Sequence, residues 1–327
     1  MKPEPAMKII IPDDYQNVLH QLECRKILKD HDLSNIISHY SNSSDLAEQC
    51  AEAEVLVLIR ERTKIAESLL SKLPNLKLIS QTGKISRHID LQACTKYKVA
   101  VVEGKGSPTA PAELCWALIM NAWRQIPQAM QGMNKGLWQT NLGRTLYGQT
   151  LGIWGYGKIG KKIAAYARAF DMNVIVWGSL ESRNSAIQDG FTAAASKEEF
   201  FAQSDILSLH LRLTESTEGI VHRRDLDLMK PDSLLVNTSR AELIEKGALL
   251  AAIQSGRPGS VALDVYENEP IYDLDFPLLH FPNVLCTPHL GYAEKKSFEL
   301  YFSQAFENVL EFIIGNNSNI LNPEAFL

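Results

Sequence analysis

The sequence predicts an α/β protein made of two doubly wound parallel-sheet domains. Three observations predict it. Short β-branched runs alternate with helical patterns from end to end, the order that lays parallel strands beneath helices on both faces. The alternation comes in two series, and 327 residues suffice for two well-buried domains, each of about 150 residues. The second series opens in mid-chain on a glycine turn, Gly155-Tyr-Gly-Lys-Ile-Gly160, with a domain's length of chain in front of it.

In the first series the strands are expected at Lys8–Ile11, Val55–Ile59, Leu76–Ser80 and Val99–Val102. Between them helical stretches are expected at Gln16–Leu28, Asp45–Ala53, Ala66–Leu70 and Leu91–Lys96. A long apolar helix from about Pro111 to Ile126 follows, with its proline in the first turn. The second series has strands at Leu151–Trp154, Val174–Trp177, Ile206–Leu209, Leu234–Asn237, Val261–Val265 and Val284–Cys286. The tail Ala293–Ile314 repeats apolar residues at Phe298, Phe302, Phe306, Val309 and Ile313, helical spacing that reads as a packing face.

Composition narrows the function classes. A net charge of −5 without a Lys/Arg block argues against a nucleic-acid surface. No apolar run reaches the length of a membrane span, and Met1–Ala6 lacks the apolar core of a signal peptide. The five cysteines are scattered with no Cys-x-x-Cys pair, which reads as buried thiols in a reducing cytoplasm. The eight histidines show no paired metal-ligand spacing.

The glycine turn follows the apolar run Leu151-Gly-Ile-Trp154 and opens the amphipathic stretch Lys161–Phe170. That context turns a weak motif into a dinucleotide site: the main chain presses against a pyrophosphate and the helix N-terminus faces its charge. The next strand ends in Gly178, where NAD enzymes place an acid that binds the adenosine ribose. Without that carboxylate a 2′-phosphate is not repelled, and Ser179, Ser182 and Arg183 are available to contact one. Glu181 in the same loop is the counterweight, able to take the ribose contact or to repel the phosphate. NADPH is therefore expected to be accepted.

Ligands of open parallel sheets bind beyond the carboxyl ends of the strands. The second series carries polar residues there: His210, Asn237-Thr-Ser-Arg240, Asp264, Glu269 and His289. Alone, each has a bland reading as a core histidine, a surface cation or a solvated acid. Together they match the reduction of a 2-oxo acid by hydride transfer. Arginine holds a carboxylate and polarises a carbonyl with paired donors. Histidine supplies the proton, and a neighbouring carboxylate favours and orients its imidazolium. Arg240, His289 and Glu269 fill these roles in that order.

With these motifs the chain resembles the D-isomer-specific 2-hydroxyacid dehydrogenases over nearly its whole length. The matching stretches are Gly155–Gly160, Val236-Asn-Thr-Ser-Arg240, Leu263-Asp-Val-Tyr-Glu-Asn-Glu-Pro270 and Thr287-Pro-His-Leu-Gly291, with Pro108–Leu118 and Glu307–Phe326 alongside. The resemblance implies that Arg240 binds substrate, Glu269 is the acid of a relay and His289 the general acid/base. It implies that Asp264 faces the nicotinamide and that Gly155, Gly157, Lys158, Ile159, Gly160, His210, Thr238 and Ser239 contact NAD(P). It also implies a Rossmann cofactor domain at 109–293, inserted into a flavodoxin-like substrate domain of residues 1–108 and 294–327. Members of the family are usually homodimers joined through their cofactor domains, which makes the helix from Pro111 an interface as well as core.

The departures fall in the substrate loop. It reads Gly83-Lys-Ile-Ser-Arg-His-Ile-Asp90, with Ile85 in place of a second glycine and Arg87-His88 in place of Asp-Asn. Main-chain N–H groups of Lys84 and Ile85 are expected to hold a carboxylate, with the Lys84 cation suiting a second anionic group. Arg60, in Arg60-Glu-Arg62-Thr63, resembles the corresponding stretch of phosphoglycerate dehydrogenases and is a candidate for a phosphate contact. Two rivals remain open. Formate dehydrogenases share the fold but pair their histidine with an amide, where Glu269 is an acid. Dinucleotide-sensing corepressors also share it, but no basic region or disordered extension supports that role.

Overall fold

The computed structural model describes residues 6–37 and 43–326, with backbone only for Ser43, so most of the N-terminal stretch considered above for a leader lies outside the described residues. The chain divides into two compact units, Met1–Ser107 with Lys295–Leu327, and Pro108–Glu294.

In chain order the first unit runs β1 (Lys8–Ile11), β2 (Asp32–Asn35), α1 (Ser43–Gln49), β3 (Val55–Ile59), α2 (Glu67–Leu70), β4 (Leu78–Thr82), α3 (Leu91–Lys96) and β5 (Ala100–Glu103). The second unit follows with α4 (Thr109–Arg124), α5 (Ile126–Asn134), β6 (Thr150–Trp154), α6 (Lys158–Ala169), β7 (Asn173–Trp177), α7 (Leu180–Gln188) and β8 (Thr192–Ala193). It continues through α8 (Lys197–Gln203), β9 (Ile206–Leu209), α9 (Arg223–Asp227), β10 (Leu234–Asn237), α10 (Ala248–Gln254), β11 (Ser260–Leu263) and β12 (Val284–Cys286). Helix α11 (Lys295–Ile313) returns the chain to the first unit.

The first unit is a five-stranded parallel sheet of order β2-β1-β3-β4-β5, the flavodoxin-like winding. Strand β3 is buried along its whole length, as expected of a parallel strand covered on both faces. Phe302 and Phe306 of α11 are fully buried, and Ser80 on β4 donates to the Ala305 carbonyl. The tail beyond α11 stays with this unit: the Asn322 amide accepts from the Val101 N–H at 2.8 Å and donates to the Val99 carbonyl.

The second unit is a seven-stranded sheet, β12-β11-β10-β9-β6-β7-β8, with the Rossmann order and one strand more. Ile153, Ile163, Ala164 and Val236 pack with α4 in one buried cluster. Trp154, Phe200, Leu207 and Leu235 form a second. The chain reverses its winding between β6 and β9, which are paired neighbours.

Four elements differ from the sequence expectations. Gln16–Leu28 is not one helix but two 3₁₀ turns, Leu19–Gln21 and Glu23–Leu28, parted by extended Leu22. Asp14 accepts from the N–H groups of Val18 and Leu19, and Glu299 of α11 from those of Glu23 and Cys24, so side chains take the donors an α-helix would use. Two edge strands went unread, β2 and β8. The polar run Asp32–Asn35 is extended because it pairs along β1, from Lys8↔Asp32 to Ile11↔Asn35. The apolar helix breaks at Gln125, which turns left-handed (φ 54°), so that α5 starts anew.

Candidate active site

The pairing register aligns the strand ends of the second unit in one row: Trp177, Trp154, Leu209, Asn237, Leu263 and Cys286 are successive partners across the sheet. The predicted residues follow this row by one to three positions. Gly178 and Gly155 come directly after it, then His210, Thr238, Ser239, Arg240, Asp264 and His289. Parallel pairing thus turns residues scattered over 130 positions of sequence into one edge, with neighbouring strands about 4.8 Å apart.

The glycines of the turn do three different jobs. Gly155 is left-handed (φ 100°), and a Cβ there would lie 2.8 Å from the His210 carbonyl oxygen. A Cβ on Gly160 would lie 2.2 Å from the Gly155 carbonyl oxygen, so only glycine lets α6 sit this close to β6. At Gly157, the N-cap of α6, a Cβ would meet nothing within 4 Å. That open main chain before Lys158 and Ile159 suits a pyrophosphate, so the residues fit a dinucleotide. Ser179 caps α7 by accepting from the Ser182 N–H, and Ser182 Oγ accepts from the Tyr156 N–H at 3.2 Å. The Arg183 guanidinium lies 4.7 Å over the Trp177 ring, and its buried Nε has no hydrogen-bond partner among the described residues.

His210 Nε2 and Ser208 Oγ are 2.9 Å apart, and Ser208 in turn meets the buried Cys115 thiol at 3.3 Å. Burial pushes the His210 imidazole down to about 4, so it is neutral at physiological pH. The same burial raises Cys115 to about 11, leaving an inert thiol. Asn237 braces the loop that follows β10, donating to the Arg240 carbonyl and accepting from the Ser239 N–H. Arg240 Nη1 donates to the Ser239 carbonyl at 2.6 Å.

Beyond β11 and β12 the acid and the histidine meet. His289 Nδ1 and Glu269 Oε2 are 2.6 Å apart, and Glu269 Oε1 accepts from the Tyr266 N–H at 2.8 Å. The carboxylate is gripped at both oxygens, and the bond at Nδ1 makes Nε2 the imidazole's working nitrogen. The Tyr292 ring meets His289 edge-on at 5.2 Å. His289 itself is left-handed (φ 51°), a strained state for a side-chain-bearing residue. Asp264 holds that loop in place: Oδ1 accepts from Leu290 N–H and Thr287 Oγ1, and Oδ2 from Gly291 N–H. Burial pushes the Asp264 carboxyl up, against those hydrogen bonds. Both its oxygens are thus engaged with the histidine loop. Tyr266 and Thr287 lie inside the matching stretches but had no role assigned, and Tyr292 was not foreseen, because backbone donors, hydroxyl braces and ring edges carry no chemistry of their own to flag them.

The first unit carries the expected substrate residues at its own strand ends. Arg60 follows β3 in a left-handed conformation (φ 51°), and its N–H donates to Thr82 Oγ1. A Cβ on Gly83 would lie 1.9 Å from Arg60 Nη1, so the missing side chain makes room for the guanidinium. The Lys84–Ile85 turn, expected to hold a substrate carboxylate, already holds one of the protein's own. The Glu103 carboxylate binds the Lys84 ammonium, and its other oxygen accepts from the Ile85 N–H at 3.0 Å. Among the described residues no group of side chains could hold a metal ion, and no helix is long and apolar enough to cross a membrane.

Residues 116–291 match the family model described as D-isomer specific 2-hydroxyacid dehydrogenase, NAD binding domain. The solved phosphoglycerate oxidoreductase of Vibrio cholerae o395 is 55% identical, with a TM-score of 0.92 over 94% of this chain and 99% of that one. The glyoxylate reductase of Aeropyrum pernix is 35% identical over 85% of this chain and 86% of its own. The D-3-phosphoglycerate dehydrogenase of Bacillus subtilis is 35% identical over 79% of this chain but 49% of its own; the chain spans about half the length of such relatives. Sheet orders, glycine turn and sequence agree: the chain belongs to the D-isomer specific 2-hydroxyacid dehydrogenase family.

Proposed function

We propose that the protein is an NAD(P)-dependent dehydrogenase that interconverts a small 2-oxo acid and its D-2-hydroxy acid. The observation that carries this reading is the Glu269–His289 pair at 2.6 Å, with Glu269 anchored by Tyr266 and the His289 loop by Asp264. Nicotinamide, when bound, supplies the hydride. Arg240 binds the substrate's carboxylate and polarises its carbonyl, while His289 Nε2 gives the proton to the forming hydroxyl. Glu269 stabilises the protonated imidazole, and Asp264 positions the histidine loop and faces the nicotinamide. An acid at 269 argues against formate oxidation, which needs no proton relay. The test is a plate of 2-oxo acids (glyoxylate, hydroxypyruvate, phosphohydroxypyruvate and bulkier acids) with NADH and NADPH. No oxidation of either cofactor with any acid would overturn the assignment.

Gly155, Gly157, Lys158, Ile159 and Gly160 cradle the pyrophosphate, with His210, Thr238 and Ser239 along the same edge. NADPH is the preferred cofactor in this reading, because Gly178 removes the ribose-binding acid and Arg183 is held over Trp177 beside it. Arg183→Ala is then expected to lower kcat/KM with NADPH at least about tenfold while sparing NADH. A variant that loses both equally would assign Arg183 to the fold. Residues 1–108 with 294–327 serve as the substrate domain and 109–293 as the cofactor domain, with Arg60, Lys84 and Ile85 on the substrate side. Five unpaired cysteines suit a reducing cytoplasm. The partner is a second copy of the chain: Met130, Met133, Trp138, Leu142 and Tyr147 are 61, 62, 74, 92 and 72% exposed, large apolar side chains of the kind an interface buries.

A further inference from the structure

The substrate loop contains a carboxylate of its own. Glu103 ends β5 beside β4, in register with Gln81, and the Gly104 N–H donates to the Gly83 carbonyl at 2.7 Å, tying the two segments together. From there the Glu103 carboxylate takes two donors of the turn, the Lys84 ammonium and the Ile85 N–H. The Glu103 side chain is only 18% exposed against 63% for Lys84, so the acid is the better-shielded member of the pair. A turn whose cation is already matched by a resident carboxylate has no net positive charge to offer. A ligand with one carboxylate can share such a turn, whereas each further negative charge meets Glu103 at short range.

We infer that Glu103 is a specificity-determining residue, which cancels the Lys84 charge and tunes the Lys84–Ile85 turn to monoanionic 2-oxo acids over dianionic ones. The inference rests on the reading of this turn as the substrate's carboxylate site. Its test uses oxamate and oxalate, unreactive isosteres of the substrate class that differ by one charge. Their dissociation constants are measured by calorimetry on the full chain with bound cofactor. Glu103→Gln keeps the shape and an acceptor for Ile85 but removes the charge. It should tighten oxalate relative to oxamate by about tenfold, the scale of one partly screened charge contact. Glu103→Ala should shift the ratio the same way, and Glu103→Gln with Lys84→Met should lose the gain. An oxalate-to-oxamate ratio unchanged or reversed in both single variants overturns the inference. If the ratio shifts as expected while no 2-oxo acid is turned over, the dehydrogenase reading fails and the assignment of Glu103 stands.

Discussion

His289 shows what a single backbone state can do. Its left-handed conformation costs about 1 kcal/mol or more for a non-glycine residue, and three hydrogen bonds to Asp264, one from Thr287 before it and two from Leu290 and Gly291 after it, hold it there. Asp264→Asn keeps the shape but replaces one acceptor oxygen by a donor, which must then face Leu290, Thr287 or Gly291. We expect it to lower kcat without abolishing cofactor binding. His289→Gln should lower kcat by about 100- to 10,000-fold, the range for a lost general acid. Cofactor affinity by fluorescence should stay near wild type, and a matching loss of that affinity would show a structural role instead. His210 makes a prediction about pH. Its folded value of about 4 lies below the ordinary 6.5, so between these limits the unfolded chain binds the extra proton. Stability is therefore full above pH 6.5 and lost as pH falls toward 4, by up to about 3 kcal/mol. The melting temperature across that window should fall less steeply in His210→Gln, and an unchanged slope would refute the assignment.

At the scale of elements, the β6–α6 turn separates folding from binding. Gly160→Ala drives a methyl into the Gly155 carbonyl, so strand and helix must part; we expect at least about 1–3 kcal/mol of destabilisation and weaker cofactor binding. Gly157→Ala meets nothing in the protein. Its melting temperature should stay within about a degree or two of wild type, while NAD(P)H affinity falls because only the ligand meets the methyl. If both variants were equally destabilised, the two glycines would have one structural job and the pyrophosphate reading of Gly157 would fail. How legible an element was depended on where its stabilisation comes from. Strands such as Val55–Ile59 and Ile206–Leu209 announced themselves because both faces are buried and all positions but Ser208 are apolar. Strand β2 did not, since a polar edge strand draws its order from one neighbour's backbone. Gln16–Leu28 carried a helical pattern, but Asp14 and the distant Glu299 captured its N–H groups.

At the scale of the whole molecule, the proposed second copy would cover the exposed apolar residues from Met130 to Tyr147. Sedimentation should find a dimer, and Leu142→Glu with Trp138→Glu should shift it toward monomer; a monomeric wild type would remove the proposal. The sequence by itself determined the alternation of strands and helices, the glycine turn and the residue types Arg240, Glu269 and His289. These depend on local periodicity and on chemistry that only certain side chains perform. Tertiary structure alone decided which of these groups touch. The Glu269–His289 bond, the three-point hold of Asp264 on the histidine loop and the capture of Lys84 and Ile85 by Glu103 join residues 18 to 27 positions apart. Neighbouring parallel strands set those distances, and no local pattern in the chain encodes which strands lie side by side.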